Sequence, residues 1–428
     1  MPSPSPRRLL GQHSRRCATV AAAMLCYLES PELSAGELTS ASPGAVGLSE
    51  AKLKQVDAFM NHAVADKKMA GGIVMISHGG KLGFFRQYGL MDVEAKKPMQ
   101  ADTIFRIYSM SKAITTAAAL TLYEAHRLDL DDAVTKYIPS FAKLKVAAPD
   151  GLRPPSRPMT VRDLMLHTAG FSYGSGPDAL KEAYNRLKPL EAANLAEMAE
   201  NLSQIPLAFD PGTDWMYGVS IDVLGRVIEV ASGENLDRFL ARTIFQPLDM
   251  QDTAFSVPPE KVGRFAANYH RSTNGLGLVL ADAAVGSKFA KPVTFFSGGG
   301  GLVGTARDYM RFLTMLTRGG ELDGHRILRP ETVKLMTTDQ LPKKAFPIHF
   351  GNEIRRGTGF GLGFSVRTEI TDWDPSGHVG EYGWGGAAST HFWVSPKDEL
   401  IVITLEQILP YQWDTEFGLK KIIYDAIR

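Results

Sequence analysis

From Leu48 onward the apolar positions fall into a helical rhythm. Leu53, Val56, Phe59, Met60 and Val64 share one face and Ser49 stands where a helix cap belongs, which predicts an amphipathic helix. The period then shortens. Gly72–His78 and Leu82–Leu90 are apolar, β-branched and aromatic runs on either side of Gly79-Gly80, the composition of a hairpin. Helical spacing dominates from about residue 110 to 290, in Thr160–His167, Leu190–Leu202, Ile221–Ala231 and Leu236–Ile244, with Pro/Gly loops between. Strand character returns at Phe360–Arg367, Thr390–Val394 and Leu400–Glu406, the last two joined by Ser395-Pro396-Lys397-Asp398, and Glu416–Ile427 closes the chain as a helix. Strands at both ends and helices between predict an α+β fold. One domain is expected from residues 47–128 and 295–428, with a mostly helical domain, 129–294, inserted.

Residues 1–46 break this pattern. They are Pro/Ser/Arg-rich at first, then carry the apolar run Cys17–Leu28, then lose periodicity. Arg15-Arg16 and the run resemble an export signal. Ala18 stands where a twin-arginine motif usually has Phe, and no good A-x-A cleavage site follows, so the segment is read as a leader or a disordered tail and the compartment as cytoplasmic or exported. Cys17 and Cys26 are the two cysteines of the 428 residues, so the remainder offers neither disulfide nor thiolate metal ligand.

Charge narrows the partners. Lys+Arg 47 against Asp+Glu 46 leaves a net charge of +1, and tracking a phosphate backbone needs a basic excess, so nucleic acid is not expected. No stretch reaches the roughly 18 apolar residues of a membrane span. The ten histidines show no H-E-x-x-H or comparable spacing, so neither metal nor other cofactor is expected. The oligomeric state is not legible.

Serine chemistry is. Gly170-Phe171-Ser172-Tyr173-Gly174 matches G-x-S-x-G, whose mechanism requires a strand entering and a helix leaving a strained turn. A helical pattern precedes Ser172 and Ser175-Gly176-Pro177 follows, so the frame is missing and Ser172 reads as loop. S-x-x-K puts serine and lysine one turn apart on a helix. Ser49–Lys52 and Ser140–Lys143 lie in solvated surroundings. Ser109-Met110-Ser111-Lys112 does not: no acidic residue occurs between Asp102 and Glu124. Desolvation disfavours an ammonium, so a lysine turned inward here is a usable base. Ser109, Lys112 and Thr116 form a polar stripe on an otherwise apolar helix, and Ser109 would open it, where N–H groups favour an oxyanion. On local pattern alone, a snorkelling Lys112 and a merely capping Ser109 stay open.

Ser109–Lys112 resembles the first motif of the serine β-lactamases and penicillin-binding proteins, class C style. Trp215-Met216-Tyr217-Gly218-Val219-Ser220 resembles the tyrosine motif. Gly383-Trp384-Gly385-Gly386 is similar to the W-G-G of the β-lactamase-like carboxylesterases called family VIII, and Ser297–Thr305 and Leu164–Gly170 also look like that group. The resemblance implies a carboxylesterase acting through an acyl-enzyme on a small-molecule ester. It implies Ser109 as nucleophile, Lys112 and Tyr217 as its base, the N–H groups of Ser109 and Ala387 as oxyanion donors, and Trp384, Gly385, Gly386 and Val219 against the substrate. Val219 replaces the Asn of Y-x-N and Trp384 replaces a cation, which favours a neutral, apolar acyl ester over an anionic antibiotic. His378-Val379-Gly380 is a rival third motif. A β-lactamase or D-peptidase, an acyltransferase of the same fold, and a non-catalytic binding protein are the alternatives.

Overall fold

The computed structural model describes residues 38–272 and 277–428. Leu53, Val56 and Met60 line the buried face of α1 (Glu50–Ala65), at the predicted positions. The chain then turns at Gly79-Gly80 between β1 (Gly71–His78) and β2 (Lys81–Asp92), and β3 (Lys97–Pro98) follows. Next comes α2 (Ser111–Glu124); α3 (Ser220–Ser232) and α4 (Ala306–Thr317) follow in the central region. The late strands are β4 (Thr358–Phe360), β5 (Ser365–Arg367), β6 (Tyr382–Gly386), β7 (Thr390–Ser395) and β8 (Leu400–Glu406), and α5 (Trp413–Tyr424) ends the fold.

These strands form one antiparallel sheet in the order β4-β5-β6-β7-β8-β1-β2-β3, so the first hairpin of the chain is closed into the sheet by its last strand. Side chains alternate across it. Val74, Ile76, Val402 and Trp393 pack under α1 and α5; Ile73, Met75, Phe392 and Ile403 face α2 and α4. Because both faces are covered, the central strands read as unbroken apolar runs. The arrangement is the α+β fold expected, an antiparallel sheet flanked by helices.

Two expectations change. Phe360–Arg367 is not one strand but a tight hairpin, β4 and β5, turning through Gly361–Phe364 with Gly363 at φ +94 and the Gly361 N–H donating to the Phe364 carbonyl at 2.9 Å. That turn sits on α2: a Cβ on Gly363 would lie 2.6 Å from Thr116 Oγ1, so the third member of the predicted polar stripe is buried under it. Residues 38–46, assigned to the leader, lie on the fold, where the Ala41 N–H donates to Leu82 at 3.0 Å and Val46 is buried. Residues 1–37, including both cysteines and the arginine pair, lie outside the described residues. No helix among the described residues is long and apolar enough to cross a membrane.

The sheet also buries a titratable group. Glu406 on β8 is 1% exposed, and burial, aided by Asp414, pushes its carboxyl up to about 8 against weaker opposition from Thr415 and Arg271. The folded value lies above the unfolded one. Its favourable contribution is therefore complete below about pH 4 and is lost as pH rises through about 8. Glu406→Gln, neutral throughout, is expected to raise unfolding free energy by a few kcal/mol at pH 9 and to differ little from wild type at pH 5, measured by urea denaturation at both values.

Candidate active site

Ser109 does not begin the α-helix itself. It lies in a single 3-10 turn, Tyr108–Met110, that feeds α2. Tyr108 just before it has φ +40, a left-handed conformation costing on the order of 1–3 kcal/mol in a residue with a side chain. Neighbours hold it there. Arg106 is fully buried and donates from Nε to Asp282 Oδ2 (2.8 Å) and from Nη1 to the Ala266 carbonyl (2.6 Å), pinning the strand Phe105–Arg106 that delivers the turn.

Lys112 points inward and is 0% exposed. Its Nζ donates to Ser109 Oγ at 3.0 Å, to Tyr173 Oη at 3.2 Å and to the Gly299 carbonyl at 2.6 Å. The snorkelling alternative is thereby ruled out. The three contacts fill the tetrahedral positions left on Nζ, so an ammonium donates to all of them, whereas a neutral amine donates to two and turns its lone pair on the Ser109 hydroxyl.

The Gly299 carbonyl is fixed from behind. Asp222 on α3 accepts from Ser297 Oγ (2.5 Å) and from the Gly299 N–H (3.1 Å). A Cβ on Gly299 would lie 2.4 Å from Asp222 Oδ2, so only glycine admits this approach. Burial pushes the Asp222 carboxyl up, while the Lys112 charge and the two donors pull it back.

Tyr217 presents its ring, not its hydroxyl, to Lys112: Nζ lies 4.7 Å from the ring centroid. The Tyr217 oxygen instead accepts from Trp384 Nε1 at 3.0 Å. The phenol hydrogen-bonded to Lys112 is that of Tyr173, whose ring meets Tyr217 edge-on at 5.5 Å. Sequence inspection passed over Tyr173 as part of a false G-x-S-x-G. The glycines on either side, which let a loop carry a side chain into a cleft, were the available signal. Ser172 itself is fully buried and its Oγ accepts from the Gly174 N–H at 3.0 Å.

Beneath Tyr217 lies His167, 0% exposed, with both ring nitrogens unpartnered among the described residues and its ring 4.9 Å from that of Tyr217. Burial, reinforced by the Lys112 charge, holds its imidazole well below the ordinary range, so it stands neutral beside the lysine.

The third motif occupies β6 itself rather than the loop before a strand. Gly386 abuts the serine turn: a Cβ there would lie 2.4 Å from the Ile107 carbonyl and 2.3 Å from Thr390 Oγ1. Ser109, Tyr217, Trp384, Gly385, Gly386 and Ala387 all line one cavity of about 360 Å³. Val219, expected at the substrate, does not. It is fully buried at the start of α3, because the helix turns it into the core. His378 is also elsewhere, with Nδ1 2.6 Å from Asp398 Oδ2 and its ring stacked 4.0 Å from that of Tyr424.

An antiparallel sheet between helices, with an inward lysine one turn beyond a serine set against the end of β6, defines the class of the active-site-serine β-lactamases and transpeptidases. The chain belongs to the Beta-lactamase family, whose model matches residues 56–419. It is 32% identical over 400 residues to esterase EstB of Burkholderia gladioli, covering 86% of this chain and 94% of that one. It is 29% identical to the monacolin J acid methylbutanoyltransferase of Aspergillus terreus, covering 82% and 89%. Among solved structures, EstCE1, a hydrolase with promiscuous acyltransferase activity, superposes with a TM-score of 0.76 at 27% identity over 88% of this chain and 99% of that one. The chain is a serine hydrolase or acyl-transferring enzyme of this fold.

Proposed function

We propose that the protein is a carboxylesterase that cleaves short-chain esters through an acyl-enzyme on Ser109. The observation that carries this is the buried Lys112 amine, 3.0 Å from the Oγ of Ser109, which lines the cavity. Ser109 Oγ attacks the ester carbonyl carbon and its proton passes to the Lys112–Tyr217 pair. The N–H groups of Ser109 and Ala387 receive the oxyanion, Gly386 having brought that stretch of β6 against the serine turn. Tyr217, its oxygen held by the Trp384 indole, returns a proton to the leaving alcohol; water then attacks the acyl carbon, its proton passing to the same pair and from there to Ser109 Oγ as the bond between Oγ and the acyl carbon breaks.

A neutral acyl group suits the site. Trp384 fills the place of a cation, and Val219 brings no amide to the cavity, so two polar contacts that the family's β-lactamases use are replaced here. Acyl transfer to an alcohol in place of water is the second reading, favoured by the transferase and the promiscuous hydrolase among the similar proteins. Brief exposure to p-nitrophenyl butyrate followed by peptide mass spectrometry is expected to place a butyryl adduct on the peptide containing Ser109. kcat/KM for that ester should exceed that for a cephalosporin by at least about a hundredfold, the loss expected when a site's polar contacts do not match the substrate. An adduct elsewhere, or faster cephalosporin cleavage, overturns the assignment.

A further inference from the structure

The cavity continues beyond the serine. It runs from Ser109 and Ala387 past Trp384 and Arg355 to Trp413 and Phe417, beneath α5. Gly383 and Gly385 on β6 are glycines for close packing, paired with Trp393 and His391 on β7: a Cβ would lie 2.3 Å from the Phe392 carbonyl on the first and 2.5 Å from the Tyr411 ring on the second.

Arg355 is the unusual group in it. It is 6% exposed, and its Cζ lies 4.0 Å from the ring of Phe350, 4.8 Å from Trp413, 5.2 Å from Trp373 and 5.6 Å from Trp384. A guanidinium offers five N–H donors in a planar fork. Its acceptor among the described residues is Glu353, reached from Nη2 at 3.1 Å, and that carboxylate is itself 32% exposed; Nε is buried with no partner. The other charges lining this region have ion-pair partners, although Arg367 Nε and Asp374 Oδ1 are also buried without a hydrogen bond among the described residues. Lys420 contacts Asp374 (2.7 Å) and Glu381 (2.5 Å), Arg367 contacts Asp374 (2.5 Å), and Glu416 is met by His391 (3.0 Å) and Tyr411 (2.6 Å). The pairs made by Lys420 and Glu416 are structural cross-ties to α5. A buried donor without an acceptor costs free energy, and native proteins keep one where a ligand supplies the acceptor.

Position decides which part of a substrate could do so. Phe350 and Trp384 stand between Arg355 and Tyr217, at 5.0 and 5.2 Å from the Tyr217 ring. Resting on the reading that Tyr217 protonates the leaving alcohol, the alcohol half of the ester is the half that lies along these two rings. We infer that Arg355 is a specificity-determining residue that receives a carboxylate carried by the alcohol portion of the ester, the favoured substrates being short-chain acyl esters of hydroxy acids with an apolar or aromatic body. The rings stack on that body, and the fork donates to both carboxylate oxygens.

The test compares 3-(butanoyloxy)benzoate with its methyl ester, and titrates the intrinsic tryptophan fluorescence with 3-hydroxybenzoate and methyl 3-hydroxybenzoate. Wild type is expected to favour the anionic ester by at least about tenfold in kcat/KM, through KM, as a charge-assisted contact would give. Arg355→Gln should bring the ratio near one and Arg355→Lys should restore part of it. An equal ratio in wild type, or a ratio that survives in Arg355→Gln, overturns the assignment. If both esters are inert and a fluorophosphonate leaves Ser109 unlabelled, the esterase reading fails instead. The fluorescence titration of wild type then decides the carboxylate site alone, as it does if Arg355→Gln does not fold: at least about tenfold tighter binding of the free acid supports it, and equal binding ends it.

Discussion

Ser109→Ala is expected to lower kcat for p-nitrophenyl butyrate by at least about a thousandfold, whereas Ser172→Ala is expected to stay within about tenfold of wild type. The two serines differ in surroundings, not in chemistry. Ser109 lines the cavity, has the Lys112 amine at 3.0 Å and stands beside the β6 backbone. Ser172 is 0% exposed, its Oγ accepts the Gly174 N–H and its N–H donates to Tyr184 Oη at 3.1 Å. It holds the loop that presents Tyr173. Losing one such turn bond costs about 1 kcal/mol, so the effect of Ser172→Ala belongs in stability and a small displacement of Tyr173. A dead Ser172→Ala enzyme with an intact melting transition, beside an active Ser109→Ala, would remove the assignment of the nucleophile.

What the sequence made legible was local. Leu53, Val56 and Met60 announce α1, and Leu400–Glu406 reads as a strand, because each pattern reports one element's contact with one core. The S-x-x-K turn, the tyrosine and the W-G-G were legible as motifs, while the apolar neighbours of Lys112 in sequence suggested a buried lysine but left a snorkelling one open, which the fold decided. Contacts between segments remote in sequence were not. Nothing near Tyr173 says that its hydroxyl meets Lys112, 61 residues away, and nothing near Arg355 announces that Trp373, Trp384 and Trp413, from three remote segments, close around it. Val219 failed for a related reason: its spacing from Tyr217 is that of the family's asparagine, but an apolar side chain at the start of α3 gains more by entering the core than by facing a wet cavity.

The sharpest discrimination between a base and a structural cation comes from Lys112. Lys112→Ala is expected to lower kcat by at least about a thousandfold, and the double variant with Ser109→Ala to be scarcely worse than either alone, because residues that act as one unit do not add. The substitution also has a structural cost. It leaves the Gly299 carbonyl without its donor and removes the cation that most opposes the upward push of burial on Asp222, so urea denaturation should show a loss of about 1–3 kcal/mol. Activity could fall for that reason alone, and Lys112→Arg separates the two causes. Arginine restores a positive charge and hydrogen-bond donors to the site but stays protonated, since its guanidinium does not release a proton in proteins. Lys112→Arg is therefore expected to recover stability toward wild type while kcat remains at the level of Lys112→Ala. Recovery of turnover together with stability would show that Lys112 only holds the site in shape, and the proton of Ser109 would then have to leave by another route, with the Tyr173 and Tyr217 phenols the groups standing beside it.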